Sequence, residues 1–497
     1  MSQGIERFFL LSYCLACCWP GFNAASSLRV VRQWNELEFN FPNRAAEERA
    51  RQLKYYVPGL SVPIDVDVHH RKGGLPSRIF VTVPRFDVGR PVTLGTVDSQ
   101  GRISGYPDYA WNDNQGHNCD GLTSVFRVAI DECSRLWVMD TGKIGEVEHC
   151  PPQLLAFDLN TDQLVYRLPI NSSSYIATSL FITPVVDVRG ASPGDCENTF
   201  VYVADVSSYA LLVVDVANHK SWRVTDKKFF PFPSRGTFTI AGESFDLMDG
   251  VLGMALSPAR ASSDRYLYFH ALASTTENLV RTSVLRNHSH EDPSLDPQTV
   301  YVFPEERPNQ SAAEAMDRDG ILYFGLMEPP SIWCWNTATD FSQRNFHQLA
   351  VDRETLQFAS GVKVVNNLKG EQELWILTSS FQRVMTGSLS SSKINYRIHA
   401  EKIPDLIANS PCKRPPNGPQ HFVILLYNLI TPYDDHYICR TWSALYKEMS
   451  IRDYIIKSYI YFNISLELLQ MTFQRHNYIF TFIDICIQFK ILRNITS

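Results

Sequence analysis

Short apolar runs of period two, separated by polar turns, recur along most of the chain. The clearest example lies between Gly116 and Tyr166, where the successive runs read LTSVFRVAID, RLWVMDTG, QLLAFDL and QLVYRL. β-Branched and aromatic residues alternate imperfectly within these runs, as in strands that are covered on both faces. Asp, Asn, Ser and Thr occupy the gaps between the runs and favour turns. The stretch therefore predicts one complete unit of antiparallel sheet.

The same pattern recurs at a spacing of roughly 45–55 residues. The second strand of each unit is the most recognisable part, and the corresponding segments are IFVTVP, LWVMDT, FVYVAD, LYFHAL, LYFGLM and LWILTS. Six four-stranded units predict an all-β fold, a six-bladed β-propeller. The last unit is predicted to contain strands in SGVKVVNN, ELWILTSS, RVMTGSLS and NYRIHAEK.

A strand-like segment, LRVVRQWNELEFN, precedes the first unit and has no partner nearby in the sequence. We expect this N-terminal strand to complete the last blade, because closing the ring removes two open sheet edges. A short charged helix is predicted between this segment and the first unit, over Arg44 to Leu53.

Composition and charge restrict the class of protein. The net charge of -6 gives no basic excess, so nucleic acid is not an expected partner. Residues 1–25 resemble a secretory signal, since the apolar run from Phe8 to Cys18 is too short to span a bilayer and small residues follow it. No later stretch offers about 20 clean apolar residues, so no membrane span is predicted. We assign residues 26–413 to the propeller.

Residues 414–497 form an atypical C-terminal tail. This segment is rich in Ile, Tyr, Phe and Asn and shows neither the repeat nor a clear amphipathic period. It is too apolar for an ordinary disordered tail. The interpretation we favour is a segment that does not fold specifically, from an aberrant or alternative transcript; an acquired interaction segment is the alternative.

Six cysteines fall within the predicted propeller, and an even number in an oxidising compartment favours three disulfides. They are Cys119, Cys133, Cys150, Cys196, Cys334 and Cys412. Six cysteines allow fifteen connectivities, so spacing alone leaves the pairing open. None forms a Cys-x-x-Cys pair, so no metal site is predicted. Glycosylation is predicted at the sequons of Asn171, Asn287 and Asn309.

Seven collinear segments over residues 28–413 resemble the Yellow/major royal jelly protein family of insects. They are RQWNELEFNFP, RIFVTVPRF, VFRVAIDECSRLWVMDTGKIG, CPPQLLAFDL, DCENTFVYVADV, LMDGVLGMALSP and IANSPCK. The resemblance implies a secreted six-bladed propeller, in agreement with the repeat count. The tail does not share it. Since family members include pigmentation proteins, dopachrome-converting enzymes, nutrients and amine binders, the resemblance specifies the fold more closely than the activity.

The cysteines fall where those of the family do, which suggests a set of pairings. Cys133 and Cys150 flank the RLWVMDTG strand, so we expect a bridge within the second blade. Neighbouring blades would then be joined by Cys119–Cys196. The fifth blade would be tied to the closing segment by Cys334–Cys412.

The resemblance also implies a ligand site at one end of the axial channel. In amine-binding members this site combines hydroxyl and amide groups with an aromatic ring, and local pattern puts Ser360, Ser379 and Phe381 at the comparable positions. Ser379 departs from the amide side chain expected there. The start of the second blade's inner strand is a further candidate region, with Asn118, Asp120 and Thr123 as the residues involved. No cofactor is expected.

Two enzymatic alternatives remain open. Dopachrome conversion requires a base and a cation for the substrate carboxylate, for which His117 is a weak candidate base and Arg127 a cation if its strand faces the channel. A calcium-dependent hydrolase requires an axial group of carboxylates, and the candidates for it are Asp120, Asp246, Asp249 and Glu314.

The preferred hypothesis is a secreted, extracellular, glycosylated propeller that binds a small aromatic metabolite, a biogenic amine or catechol. It would alternatively act as an extracellular factor in the pigmentation and melanisation of cuticle or eggshell. A dopachrome tautomerase of melanin synthesis is the second hypothesis, and a lactonase-type hydrolase the third. The sequence contains no motif that selects among them or gives the oligomeric state.

Overall fold

The computed structural model describes residues 28–190, 195–259, 264–287 and 292–413. The predicted signal segment and the atypical tail lie outside these ranges, so both remain predictions. No helix among the described residues is long and apolar enough to cross a bilayer.

Six antiparallel sheets form the six blades of a β-propeller, which confirms the predicted fold class. The inner strand of each blade contacts the inner strands of the blades before and after it, and the sixth contacts the first. In blades 1 to 3 the strands are Asp65–His69, Arg78–Thr82, Leu94–Val97 and Ile103–Gly105; Val125–Ile130, Arg135–Asp140, Gln153–Asp158 and Leu164–Pro169; and Phe181–Val188, Thr199–Asp205, Ala210–Asp215 and Lys220–Thr225. In blades 4 to 6 they are Val251–Leu256, Tyr266–Ala271, Asn278–Arg281 and Val300–Val302; Glu314–Met316, Ile321–Leu326, Ser331–Asn336 and Phe346–Val351; and Ala359–Asn366, Gln372–Ser379, Tyr396–Lys402 and Arg29–Trp34.

Smaller elements decorate this ring. Phe39–Asn40 adds a short parallel strand to the edge of blade 1. The hairpins are Lys143–Ile144 with Val147–Glu148, and Thr237–Ile240 with Glu243–Asp246. The α-helices are Arg44–Gln52, Thr282–Arg286, Phe381–Thr386 and Ile403–Leu406, and the 3-10 helices are Ser172–Ser174, Lys227–Phe229, Pro233–Arg235 and Gln343–Asn345.

The ring is closed by the N-terminal strand, as predicted. Arg29–Trp34 pairs antiparallel with Tyr396–Lys402, and Trp34 lies opposite Tyr396. The Trp34 indole is buried and donates a hydrogen bond to the Gly101 carbonyl at 2.6 Å. The N-terminal strand therefore ties blade 6 to blade 1.

Each blade is covered on both faces, which explains the imperfect alternation of its sequence. In the second strand of blade 2, Leu136 and Val138 pack in a cluster shared with blade 1. Trp137 and Met139 point the other way, into a cluster shared with blade 3. A strand that is apolar on both sides buries its whole length between two neighbouring sheets.

One segment differs from the predicted strands, and the predicted N-terminal helix is present. The first half of RVMTGSLS, predicted as a strand of blade 6, lies in the helix Phe381–Thr386, whose end is capped by Gly387 at a φ of +70°. A left-handed glycine is a common helix stop, and the outer position is filled by the N-terminal strand instead. The predicted helix at residue 44 is present as Arg44–Gln52, where the Asn43 side chain accepts a hydrogen bond from the Ala46 amide at 2.9 Å.

Three disulfides are present, but two of the expected pairings are wrong. The bonds join Cys119 with Cys150 and Cys133 with Cys196, at Cα separations of 5.5 and 6.2 Å. A bridge between Cys133 and Cys150 is impossible because the strand Arg135–Asp140 lies between them, and six extended residues span about 20 Å. Each cysteine pairs instead with a partner at its own end of the propeller, Cys119 with Cys150 within blade 2 and Cys133 with Cys196 of blade 3.

The third disulfide agrees with the expectation. Cys334 joins Cys412 at a Cα separation of 6.3 Å. It links the third strand of blade 5 to the segment that follows blade 6, so the closing segment is attached covalently to the ring.

Candidate functional site

The inner strands of all six blades surround a cavity of about 900 Å³, which we call the axial cavity. Its lining includes the residues at which the inner strands turn into the second strands, and we call this the turn end of the propeller. The opposite end, where the inner strands begin, is the loop end. The charged and polar residues of the inner strands that line the cavity include Asp65, Asp67, Arg127, Thr183, Glu314, Ser360 and Lys363.

β-Bulges position several of these groups. The pairing between the first and second strands shifts register around Arg127, Thr183, Leu252 and Ser360, in blades 2, 3, 4 and 6 respectively. A bulge inserts an extra residue and redirects a side chain or carbonyl out of the ladder. The four bulged positions therefore present their polar groups at the axis.

Arg127 spans the channel from blade 2. Its guanidinium donates to the Thr183 hydroxyl at 2.8 Å, to the Leu252 carbonyl at 3.3 Å and to the Ala312 carbonyl at 3.0 Å. Burial lowers the pKa of Arg127 to about 10, and the charge of Asp65 opposes this shift. The group is thus a buried cation at neutral pH that links blades 2, 3, 4 and 5.

A buried ion pair joins blades 1 and 6 across the same channel. The Lys363 ammonium lies 3.0 Å from Asp65 Oδ2, which also accepts a hydrogen bond from the Val128 amide at 3.1 Å. Gly361 makes this approach possible, since a Cβ there would lie 2.6 Å from Asp65 Oδ1. Burial raises the pKa of the neighbouring Asp67 to about 6, although the Lys363 charge opposes the shift.

A second buried cluster lies between blades 4 and 5, beside the cavity. It consists of His270, Glu277, Arg307 and Glu314, whose side chains are at most 1% exposed. Arg307 donates a short hydrogen bond to Glu277, and His270 Nδ1 lies 3.2 Å from both Glu277 Oε2 and Glu314 Oε2. Burial, followed by the charge of Glu277, raises the pKa of Glu314.

The predicted ligand residues from blade 6 are divided between two places. Ser360 lines the axial cavity, and its buried hydroxyl has no hydrogen-bond partner among the described residues. Ser379 and Phe381 lie at the loop end and do not line the cavity. Phe381 is buried and stacks on Phe358 at a centroid distance of 4.4 Å, with Phe245 at 5.9 Å.

The predicted residues at the start of blade 2 are also outside the cavity. His117, Asn118 and Asp120 are exposed, and the Tyr55 hydroxyl lies 2.6 Å from His117 Nε2. Thr123 is fully buried, and its amide donates to Asp140 at 2.9 Å. The weak candidate base His117 therefore does not line the axial cavity.

The four candidate carboxylates do not come together as an axial group. The Asp120 side chain is 96% exposed, with Arg167 at 3.8 Å. Asp246 is exposed on a hairpin, where it accepts a hydrogen bond from Thr237 at 2.7 Å. Asp249 is half-buried at the loop end, and only Glu314 lines the cavity. The first two are solvated turn acids, and the described residues do not support the calcium-dependent hydrolase.

Sequence reasoning does not single out several residues of the axial cavity and of the cluster beside it, namely Asp65, Asp67, Thr183 and Lys363 in the cavity and His270, Glu277 and Arg307 in the cluster. Asp65 and Asp67 carry a visible signal, because DVDVH places two acids within an apolar strand. Lys363 similarly interrupts SGVKVV. The partners of these residues lie up to about 300 positions away in the chain, so only the folded ring brings them together.

A closed six-bladed propeller with a charged axial cavity is the class of protein that these features define. The sequence model described as "Major royal jelly protein" matches residues 123–412. "Major royal jelly protein 9" of Apis mellifera is 32% identical over 407 residues, which is 79% of this chain and 91% of that protein. "Protein yellow" of Drosophila melanogaster is 32% identical over 432 residues, 82% of this chain and 75% of that protein.

A third relative carries the name of an enzyme. "Dopaminechrome tautomerase" of Drosophila melanogaster is 29% identical over 403 residues, which is 78% of this chain and 84% of that protein. The chain belongs to the Yellow/major royal jelly protein family of insects.

Proposed function

We propose that the axial cavity binds a small aromatic metabolite, a biogenic amine or a catechol derivative, and that the protein acts outside the cell in pigmentation. The observation that carries this proposal is the axial cavity itself, which encloses about 900 Å³ and offers both signs of charge. Asp65 supplies a carboxylate for an ammonium group, while Arg127 and Lys363 suit phenolate or carboxylate oxygens. Met254 and Met316 line the same space and provide thioether contacts for a ring.

Secretion and glycosylation are part of this proposal. Three disulfides favour an oxidising compartment, and the apolar N-terminal run has the length of a signal segment. The acceptor residues Asn171 and Asn287 are exposed, which supports glycosylation there, whereas Asn309 is half-buried and is followed by the buried Gln310 and Ser311. Mass spectrometry of the secreted protein before and after glycosidase treatment tests both points together.

Binding is tested by calorimetric titration of the full chain with dopamine and serotonin. We expect a single site that is weakened by Asp65→Asn, because the substitution removes the carboxylate but preserves its shape. Phe381→Leu serves as the comparison at the loop end. Loss of binding in Phe381→Leu with no change in Asp65→Asn would move the site out of the axial cavity.

A second candidate function is tautomerisation of a quinone such as dopaminechrome. The structural observation that favours it is Asp67, a cavity-lining carboxyl whose burial raises its pKa to about 6, close to the value suited to a general base at neutral pH. In such a reaction a carbon-bound proton moves to a quinone oxygen, so the product is an isomer of the substrate. We expect the quinone colour to fade with the wild-type chain and to persist with Asp67→Asn.

A further inference from the structure

The buried cluster between blades 4 and 5 contains a group of potential metal ligands that is independent of any ligand in the axial cavity. His270 lies near the end of the second strand of blade 4, Glu277 precedes the third strand, and Glu314 begins the inner strand of blade 5. One ligand-type atom from each of these three side chains falls within 4.8 Å of the other two. Two neighbouring segments of blade 4 and the inner strand of blade 5 therefore direct a nitrogen and two carboxylates at one buried point.

The hydrogen bonds of His270 define which ring nitrogen faces that point. Nε2 lies 3.1 Å from the Ser311 carbonyl, which only accepts, so Nε2 carries a hydrogen. Nδ1 then faces Glu277 Oε2 and Glu314 Oε2, each at 3.2 Å. A nitrogen lone pair directed at two carboxylates is repelled by both, so a positively charged occupant is required between them.

The unpartnered carboxylate oxygens favour a metal ion over a second proton on His270. Both oxygens of Glu314 and Oε1 of Glu277 are buried and accept no hydrogen bond from the described residues; the 3.2 Å approach of Glu314 to His270 lacks hydrogen-bond geometry. Buried charged oxygens without partners are costly. One proton on Nδ1 satisfies a single oxygen, whereas an ion coordinates several at once.

We propose that His270, Glu277 and Glu314 form a binding site for a divalent transition-metal ion, Zn²⁺ or Mn²⁺. One imidazole with two carboxylates is a ligand set for these ions rather than for Ca²⁺, which prefers oxygen alone. Ligands about 2.1 Å from a metal lie roughly 3.0–3.4 Å apart in tetrahedral or octahedral geometry, and the Nδ1-to-oxygen separations of 3.2 Å fall in this range.

The surroundings provide the outer contacts that such a site needs. The Ser311 carbonyl fixes the His270 tautomer, and Arg307 donates to Glu277, which holds that carboxylate in place. Gly253 leaves room for the imidazole, since a Cβ there would lie 2.3 Å from the ring. The alternative to a metal ion is a second proton on His270. In that state the positive charges of His270 and Arg307 balance the negative charges of Glu277 and Glu314.

The test is a metal titration of the full chain. Protein treated with a chelator and dialysed is titrated with ZnCl₂ and with MnCl₂, while the metal content before treatment is measured by mass spectrometry. We expect one ion per chain and a loss of affinity by more than about 100-fold in Glu314→Gln. Glu243→Gln, a carboxylate of the loop-end hairpin, is the matched control and is expected to bind as the wild type does.

A second measurement covers the case in which Glu314→Gln does not fold. Anomalous diffraction from wild-type crystals grown with ZnCl₂ is expected to show a peak bounded by His270, Glu277 and Glu314. Absence of that peak, or binding that is unchanged in a folded Glu314→Gln, would overturn the proposal. So would nitrogen NMR showing both ring nitrogens of His270 protonated in the presence of saturating Zn²⁺.

Discussion

At the scale of single residues, the axis of the propeller is organised by side chains that the bulges turn inward. The sequence offers Arg127 as a cation on the condition that its strand faces the channel, and the structure satisfies that condition. The sequence does not determine the facing, because the bulge at Arg127 breaks the period-two alternation. His117 shows the opposite outcome. It lies close in sequence to the inner strand of blade 2, but in the structure it is exposed on a loop away from the cavity.

Replacement of Arg127 by Met is expected to lower the free energy of unfolding by about 2–4 kcal/mol. The substitution leaves the Ala312 carbonyl without the donor that Arg127 supplies and removes a cation from the axis, whereas the Leu252 carbonyl keeps the Thr183 hydroxyl at 2.7 Å. Urea unfolding measures the change. Arg344→Met, at a side chain that is 74% exposed, is the control, and an equal effect in both variants would contradict a structural role for Arg127.

Glu373 provides a pH-dependent test at the interface of blades 1 and 6. A hydrogen bond with His70 at 3.2 Å lowers the pKa of Glu373 to about 2. A lowered pKa stabilises the fold above the unfolded value of about 4.3, and this contribution is lost as the pH falls toward 2. Glu373→Gln is therefore expected to destabilise the protein at pH 6 and to have a smaller effect at pH 3.

The measurement is the midpoint of urea unfolding at each pH, with the exposed Glu197→Gln as a control. If Glu373→Gln shifted the unfolding midpoint by the same amount at pH 6 and pH 3, the lowered pKa of Glu373 would not contribute to stability.

At the scale of elements, blade 2 shows what a local pattern does and does not determine. The strand order of this blade and its turns follow from the sequence. The disulfide pairings do not follow from the sequence. Two cysteines that flank one strand lie far apart, at opposite ends of that strand, and each therefore bonds to a cysteine at its own end. Similarly, RVMTGSLS has strand-like residues but forms a helix because another segment, Arg29–Trp34, occupies the outer position of blade 6.

Removal of the Cys133–Cys196 bond tests the tie between blades 2 and 3. The two cysteines are separated by 63 residues, so the double change to Ser is expected to cost about 4 kcal/mol through the freedom gained by the unfolded chain. Thermal unfolding of the two proteins measures it. Peptide mapping without reduction is the accompanying check, and a Cys133–Cys150 peptide would contradict the structure.

The closing strand gives a further prediction. Trp34→Ala removes a buried indole and its bond to the Gly101 carbonyl, and we expect a loss of about 3–5 kcal/mol. Val30→Ala, in the same strand at a side chain that is 41% exposed, is expected to change stability by less than about 0.5 kcal/mol. Similar thermal shifts in the two variants would show that the N-terminal strand does not stabilise the ring.

At the scale of the whole molecule, the fold is predictable from sequence but the candidate site is only partly so. Six repeats and an unpaired N-terminal segment are sufficient for a closed propeller, since each blade is a local unit. The axial cavity is assembled from one strand of every blade, and pairs such as Asp65 with Lys363 meet only when the ring is complete. Ser360 was found from the family pattern, whereas the charged residues around it required the structure.

The central claim is that the axial cavity binds a small aromatic metabolite, and the most direct test narrows this cavity without altering its charges. Ala129 lines the cavity from blade 2 and is half-buried, whereas Ala177 is exposed on a loop at the other end. Calorimetric titration with dopamine is predicted to show binding to the wild type and to Ala177→Trp, with at least a tenfold loss in folded Ala129→Trp. Equal affinity for all three proteins would contradict the account.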